Sequence, residues 1–490
     1  MELDAKTCYQ AFVRHDRRFD GRVFAGIVTT GIYCRPVCPV VTAKFENARF
    51  FACAAAAEAA GFRPCLRCRP EAAPGTPAWL GTSAVVSRAL RLIGDTGIAD
   101  DNIEAFALRL GVGARQLRRL FAQHLGASPV QIARARRVHF ARRLIDETTL
   151  SMSTIAFAAG FASIRQFNHA MRATFRQTPT ALRQRRGRRG PLGDDGGLAV
   201  RLPYRPPFDW AGIVSFLAPR ATPGVECVDA TTYRRTIDID GTCGAITVCP
   251  GADDAAHLVM HVRLPRYDDL LRVVERARRF FDLDADPLQI GGHLRRSARL
   301  RRAVRAAPGL RVPGAWDGFE LAVRAILGQQ VTVRGATTLA GRLVCTFGTA
   351  VDGGGDGLTH CFPRPEALAD ADLARIGLPR ARAATIRGLA AAVCRGELTL
   401  DASQGLEDAV ARLQALPGVG EWTAHYIAMR AFGEPDAFPA SDLGLRHALT
   451  NGAGPPSARA VAHLAEGWRP WRAYAAMYLW NGAGRNGHDH

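Results

Sequence analysis

Four cysteines carry the first chemistry this sequence offers. Cys34 and Cys38 in "GIYCRPVCPV" have three residues between them, and after twenty-six more, "RPCLRCRP" supplies Cys65 and Cys68 with two residues between them. Zinc takes four soft donors in a tetrahedron, and two close pairs joined by a longer excursion fold four thiolates onto one ion. The spacing predicts one Zn2+ held by Cys34, Cys38, Cys65 and Cys68; its simplest role is to staple a small module that has little core of its own. Cys8 and Cys53 fall outside the pattern and are expected to pack.

A second constellation lies in "ALPGVGEWTAHYIAMRAFGEPDAFPASDLGLRHAL", residues 415–449. A helix ends near Leu416, and Gly418 and Gly420 permit a tight hairpin whose amides can point at a phosphate above the next helix. Such a hairpin grips DNA backbone without reading sequence. Asp442 follows in a Pro-bounded turn, where an Asp commonly caps a helix. Trp422 and Tyr426 are four apart and share one helix face, which on spacing alone reads as aromatic packing.

These residues need several modules to position them, because 490 residues exceed one ordinary core. Apolar residues at 48% and charged ones at 22% describe a globular chain. No run of eighteen apolar residues crosses a bilayer, and the start "MELDAKTCYQAFVRHDRR" has no secretion-signal core. The expected location is a reducing cytoplasm, where twelve cysteines mean metal or thiol chemistry rather than a disulfide framework. Of the net charge of +19, residues 1–190 hold +17, with thirty basic and thirteen acidic side chains. So concentrated a basic excess favours a polyanion partner. Only two lysines occur, Lys6 and Lys44.

The stretch "RQRRGRRGPLGDDGG" (183–197) reads as a linker splitting the chain in two, and 69–82 as a weaker break. Residues 85–182 carry helical periodicity with a loose repeat of fifty: Leu117, Phe121, Leu125 and Pro129 recur as Phe167, Met171, Phe175 and Pro179. Each copy is a short helix, a Gly turn and a second helix, as in helix-turn-helix units. From 198 to 305, alternating β-branched stretches and a following helix are α+β in character. From about 316 onward the chain reads as helical, broken by "VDGGGDG" and "LPGVG".

Residues 8–80, with "TTGIYCRPVCP" and "GFRPCLRCRP", resemble the zinc domain of the Ada adaptive-response regulators. The resemblance implies that Cys34 is both ligand and sacrificial nucleophile, taking a methyl group from a methylphosphotriester in DNA. Four thiolates on one dication leave excess negative charge, which keeps the sulfur nucleophilic; methylation removes one unit of it and should raise DNA affinity. Thr30 and Arg63 flank the ligands as candidate phosphate contacts. The alternative is a purely structural zinc.

Residues 85–185 resemble the AraC-type DNA-binding domain, with Arg115, Gln116, Arg119, Arg165, Gln166, Asn168 and His169 on the second helices as candidate groove or phosphate contacts. The second half resembles the helix-hairpin-helix DNA glycosylases of the AlkA 3-methyladenine type, from "YRPPFDW" through "VRAILGQQVTV" to "WRPWRAYAAMYLW". That match implies that Asp442 is the catalytic carboxylate, that Trp422, Tyr426 and Trp480 form the base pocket, and that Gln330 stands where the family usually has a Leu wedge. Ser441 replaces a residue that is commonly acidic. Relatives that attack the sugar with lysine carry it just after the hairpin; here that position is Trp422, so a monofunctional hydrolase is expected.

The expected architecture is multidomain, mainly α with α+β parts: a small four-cysteine zinc α/β domain (1–80), a double helix-turn-helix (85–185), an α+β AlkA-type N-terminal domain (198–305) and an all-α helix-hairpin-helix domain (306–486). Expected partners are duplex DNA, alkylated or promoter, and RNA polymerase, with no membrane, no organic cofactor and a monomeric chain. The rival function is a transcription regulator whose glycosylase-like half is only a DNA-binding scaffold.

Overall fold

The computed structural model describes residues 4–74, 84–96, 98, 102–185, 197–252, 256–351, 357–450 and 454–484. Most of the linker expected over 183–197, of the loop 351–357 and of the break at 69–82 lies outside the described residues.

The first module is helix α1 (Ala5–Val13), strands β1 (Phe24–Ile27), β2 (Ile32–Cys34) and β3 (Ala48–Phe51), helix α2 (Ala54–Ala59) and the short strand β4 (Arg63–Pro64). The sheet runs β3-β1-β2-β4, with β2 and β4 parallel and the other pairs antiparallel. Its core is thin: Cys8, Phe12, Val23 and Ala25 pack directly on the four clustered cysteines. Cys53 is buried too, its Sγ 3.3 Å from the carbonyl of Leu125 in the next module.

Seven helices follow: α3 (Ala84–Thr96), α4 (Ile103–Arg109), α5 (Ala114–Leu125), α6 (Pro129–Glu147), α7 (Met152–Ala158), α8 (Ile164–Phe175) and α9 (Pro179–Gln184). The repeat of fifty is realised in space. Leu117, Phe121 and Leu125 are buried on α5 as Phe167, Met171 and Phe175 are on α8. Pro129 and Pro179 open the next helices at a position where a missing N–H costs nothing. A capping box of Ser128 and Gln131 starts α6, against which α5, α7, α8 and α9 all pack.

The α+β region holds β5 (Leu198–Pro203), α10 (Trp210–Leu217), β6 (Glu226–Val228), β7 (Tyr233–Ile239), β8 (Thr242–Pro250) and β9 (His257–Arg263), then α11 (Leu270–Phe280), α12 (Pro287–Leu294) and α13 (Ala298–Ala306). Its antiparallel sheet is ordered β5-β9-β8-β7-β6. Alternation does what it should: Leu258, Met260 and Val262 of β9 point inward.

Among its described residues the last region is helical apart from one small hairpin, β10 (Thr349–Ala350) with β11 (His360–Cys361), which periodicity alone does not reveal. Before it come α14 (Gly318–Leu327) and α15 (Val333–Phe347). After it come α16 (Pro365–Ala369), α17 (Arg380–Cys394), α18 (Leu406–Gln414), α19 (Glu421–Arg430), α20 (Leu443–Ala448), α21 (Ala458–Ala465) and α22 (Arg472–Gly484). No helix among the described residues is long and apolar enough to cross a membrane.

The halves are docked. One apolar cluster runs from Val138 on α6 through the five-stranded sheet to Leu479 on α22, and a second joins α3–α5 to Cys53, Ala55 and Ala56 of the first module. Ion pairs line the seam: Asp95 with Arg279 at 2.9 Å, Arg91 with Glu434 at 3.0 Å, Arg109 with Asp401 at 2.9 Å and Arg22 with Asp286 at 3.1 Å.

Asp282 sits near this seam, accepting hydrogen bonds from the Tyr474 hydroxyl at 2.8 Å and the Val312 amide at 3.3 Å. Burial pushes its carboxyl up to about 6, only partly offset by Arg311 and these donors. A raised carboxyl favours the protonated folded state, so its penalty is absent below the ordinary value near 3.8 and grows as pH rises to about 6. Asp282→Asn, which keeps an acceptor and removes the charge, is expected to raise stability at pH 7 by up to roughly 3 kcal/mol and to lose nearly all of that gain by about pH 4. Urea melts across that range measure it.

Candidate active site and metal centre

The four cysteines converge because β2 and β4 are neighbours. The Cys65 amide donates to the Tyr33 carbonyl at 3.0 Å, which places the residue after β4 beside the end of β2, and the turn Arg35–Cys38 brings back the second thiol. All four Sγ atoms lie within 4.8 Å of one another and all four residues are buried. Tetrahedral zinc with bonds of about 2.3 Å sets its sulfurs about 3.8 Å apart, so the donor set fits that ion in number, kind and spread. Hydrogen bonding among the sulfurs, led by Cys38 at Cys34 and by Cys34 at Cys68, pushes those two thiols up while Cys38 and Cys65 are pushed down. Four protons cannot all leave so tight a group unless a cation replaces them.

Sequence spacing did not reveal the groups that hold this cluster. The Arg35 amide points at Cys68 Sγ from 3.4 Å, and its guanidinium is paired with Asp20 and donates to the Cys68 carbonyl at 3.1 Å. Cys34 is 7% exposed and reached through a cavity of about 360 Å3 lined by Phe12, Ile27, Thr30, Ile32 and Val40. Thr30 is exposed in the turn before β2, and Arg63 is exposed on β4 directly opposite Ile32, so both candidate phosphate contacts stand near Cys34.

On the helix-turn-helix module Arg115, Gln116, Arg119, Arg165 and His169 are exposed, and Gln166 and Asn168 are half-buried. Gln166 is already engaged: its side-chain oxygen accepts from the Ala162 amide at 3.1 Å while Ser163 caps its own amide, leaving only its amide nitrogen to reach outward.

The second site is assembled at the hairpin between α18 and α19. The first helix ends at Gln414, two residues before the expected Leu416, which lies in the turn. Gly418 has φ +89°, and a Cβ there would meet Thr385 Oγ1 at 2.1 Å, so neither its backbone nor its neighbour tolerates a side chain. Gln329 braces the hairpin, donating to the Gly418 carbonyl at 2.9 Å and to Thr423 at 3.0 Å, while Arg382 donates to the Gln329 carbonyl at 2.8 Å. Gln330, next along, is exposed at φ +54° on this locked turn. An amide tip covers a gap in a base stack with less apolar contact than a branched alkyl group. If Gln330 is the wedge that the resemblance implies, Gln330→Leu is expected to tighten binding to lesion duplex by about fivefold, read by fluorescence anisotropy.

Trp422 and Tyr426 stack with ring centroids 5.3 Å apart and planes 9° from parallel, and Trp480 meets Tyr426 edge-on at 6.5 Å. The carboxylate is held by the same aromatics. Trp422 Nε1 donates to Asp442 Oδ2 at 2.8 Å, Trp480 Nε1 donates to Oδ1 at 2.9 Å, and the Leu445 amide donates to Oδ1 at 2.9 Å. Asp442 thus caps α20 and presents an oriented carboxylate beside the rings. The cap expected of this residue is present.

Residues the spacing did not single out complete the pocket. Phe216 of α10 stacks on Trp480 at 6.2 Å, which brings the α+β region into the site. Arg430, four residues beyond Tyr426, donates to its hydroxyl at 2.8 Å and to the carbonyls of Pro313 and Gly314. Burial alone would push the Tyr426 phenol up, but Arg430 and Arg220 outweigh it and hold the group below its ordinary value. Helical period was the available signal, since 422, 426 and 430 form one stripe.

Comparison with known proteins agrees with this geometry in four places. Residues 7–71 match the family model for the metal binding domain of Ada, 106–185 a helix-turn-helix domain, 199–317 the AlkA N-terminal domain and 323–470 the HhH-GPD superfamily of base excision DNA repair proteins. The chain is 45% identical to the "Probable bifunctional transcriptional activator/DNA repair enzyme AlkA" of Mycobacterium tuberculosis over 98% of this chain and 97% of that protein. It is 35% identical to DNA-3-methyladenine glycosylase 2 of Escherichia coli over 57% of this chain and 95% of that one. Among solved structures, the 3-methyladenine DNA-glycosylase of Archaeoglobus fulgidus superposes with a TM-score of 0.53 at 25% identity, covering 59% of this chain and all of that one. A metal-binding module, a helix-turn-helix pair and a hairpin glycosylase fold in this order place the chain in the family of bifunctional transcriptional activator/DNA repair enzymes of the AlkA type.

Proposed function

We infer that this protein answers alkylation damage twice over, excising alkylated bases of the 3-methyladenine type with its second half and sensing methylated backbone with its first. The observation that carries the first role is the Asp442 carboxylate fixed by two indole N–H groups beside the stacked Trp422–Tyr426 pair.

A purine alkylated at N3 or N7 is cationic and already a good leaving group. Its glycosidic bond breaks with the electron pair going to the base, which departs neutral. Asp442 stabilises the oxocarbenium character left on the sugar and helps orient the water that adds to it and loses a proton. A flipped cationic base gains attraction from the faces of Trp422 and Tyr426, with Trp480 closing the pocket, and an undamaged base gains less. No lysine is present at the hairpin, where Trp422 stands instead, so the reaction ends at hydrolysis. Gly418 and Gly420 present hairpin amides to the backbone, and Gln330 fills the vacated stack.

In the first half, Cys34 is the acceptor. Its sulfur attacks a methyl carbon of a neutral phosphotriester, the S–C bond forms as the O–C bond breaks, and the phosphate leaves as an ordinary diester anion. Zinc bound by Cys34, Cys38, Cys65 and Cys68 would supply ionised thiolates at neutral pH. Thr30 and Arg63 steady the neighbouring phosphates. Arg115, Gln116, Arg119, Arg165, Asn168 and His169 then read or grip promoter DNA, with Gln166 contributing its free amide nitrogen.

The modules proposed to carry these roles are 1–80, 85–185, 198–305 and 306–486, in a cytoplasmic, monomeric protein that engages RNA polymerase. The test has two arms. Incubation with methylated duplex should release 3-methyladenine without strand cleavage, read by chromatography, and should add one methyl group to the Cys34 peptide, read by mass spectrometry. Untouched bases would refute the first role; methyl on another cysteine, or on none, would refute the second.

A further inference from the structure

The residue before Cys34 is wired to the helix-turn-helix module. Tyr33 is fully buried, and its hydroxyl donates to Glu58 Oε1 of α2 at 2.9 Å and lies 3.3 Å from His139 Nε2 on α6. His139 Nε2 also meets the same Glu58 oxygen at 2.7 Å. One carboxylate oxygen thus joins the strand of the metal cluster to the middle of the long helix on which both recognition helices, α5 and α8, are packed.

A second link runs in parallel. Arg69, the neighbour of Cys68, has φ +53°, a left-handed conformation that a side chain rarely adopts, and it pairs with Glu71 and with Asp146 of α6. Asp146 in turn pairs with Arg142 on the same helix. Two of the four ligands therefore have a sequence neighbour bonded to α6. A cluster that was only a staple would need neither contact.

We propose that the Tyr33–Glu58–His139 contact carries the state of Cys34 to α6 and so to the two recognition helices, with His139 as its positioning residue. The proposal rests on the reading of Cys34 as the methyl acceptor and adds to the charge change a mechanical route. Cys34 is buried at the end of β2 and lines a cavity of about 360 Å3, so a methyl group added to its sulfur enters that cavity, and turning the side chain into it shifts the strand end that carries it. Tyr33 moves with the strand, and its buried hydroxyl cannot part from Glu58 without cost. Repulsion between the cluster and DNA, by contrast, acts through space and is indifferent to Tyr33 and His139.

The test uses the full-length zinc-loaded protein, and as probe a duplex selected from random sequence by the methylated wild type. Methylation at Cys34 is confirmed by mass, and affinity is measured before and after it at low and high salt. The wild type is expected to tighten by about ten- to a hundredfold. Tyr33→Phe and His139→Ala should still take the methyl group and keep zinc, yet tighten by less than about threefold, and His139→Gln, which can still donate to Glu58, should restore part of the gain. Tyr33→Phe removes a single oxygen and keeps the test standing should His139→Ala unfold. Variants that gain as much as the wild type would overturn the proposal, as would a methylated wild type that gains nothing. Failure of the wild type to take methyl at Cys34 would instead sink the acceptor reading, and the proposal with it.

Discussion

Asp442→Asn is expected to slow release of 3-methyladenine by about 10²- to 10³-fold while leaving the protein folded and bound to lesion duplex. The fold survives because Asn caps a helix as well as Asp does, so the hydrogen bond from the Leu445 amide persists. What is lost is specific. The carboxylate accepts from Trp422 on one oxygen and Trp480 on the other, and an amide offers only one acceptor, leaving one indole N–H facing an NH2 group. The charge that balances the oxocarbenium sugar goes with it, in a neighbourhood where Arg220 and Arg430 are already close to Tyr426. Single-turnover excision from alkylated duplex measures the chemical step apart from binding. A rate within about tenfold of the wild type would remove Asp442 from the mechanism and leave the hairpin half as a DNA-binding scaffold. Methyl uptake at Cys34 should be unaffected, because no cysteine of the cluster belongs to the apolar core that carries α19 and α22.

The ease with which this site could be read varies with how local its signals are. The cysteine pairs are short-range spacings, so sequence alone predicts that they converge, and they do. The repeat of fifty was visible because two equivalent helices must bury equivalent faces, Leu117 to Leu125 and Phe167 to Phe175. Trp422 and Tyr426 were assignable to one face from the helical period, but not to a stacked pair at 9° whose phenol is also bonded by Arg430. The grip of Trp480 on Asp442 spans thirty-eight residues, and the stack of Phe216 on Trp480 joins separate regions; no window of local sequence contains either pair. Gln166 differs in the other direction: a polar residue at the start of a recognition helix looks free in sequence, yet its side-chain oxygen is taken up by the Ala162 amide just before the helix. Docking of the halves through Asp95, Arg91 and Arg109 was likewise illegible, since single Arg and Asp residues on helix faces read as solvated until their partners are known.

Withdrawal of zinc is expected to have an effect of comparable size on the other half. The first module buries Cys8, Phe12, Val23 and Ala25 against the four metal-binding cysteines, and its other core, Phe24, Tyr33, Ala57 and Phe62, is equally small. Free-energy release on binding structural zinc is on the order of 10–16 kcal/mol in small domains, more than so thin a core can supply. Chelation should therefore unfold residues 4–74, and limited proteolysis should cut there first. Base release should continue, because the cluster from Val138 to Leu479 contains no residue of the first module. Promoter binding should fail together with the module, since Cys53, Ala55 and Ala56 belong to the core of α3–α5 and α2 packs on α6. Cys34→Ala separates structure from chemistry: three thiolates remain, zinc is held more weakly, the module still resists protease at saturating zinc, and methyl uptake is lost outright. A zinc-free protein that kept its protease resistance would show that the cluster is not what holds β1–β4 together.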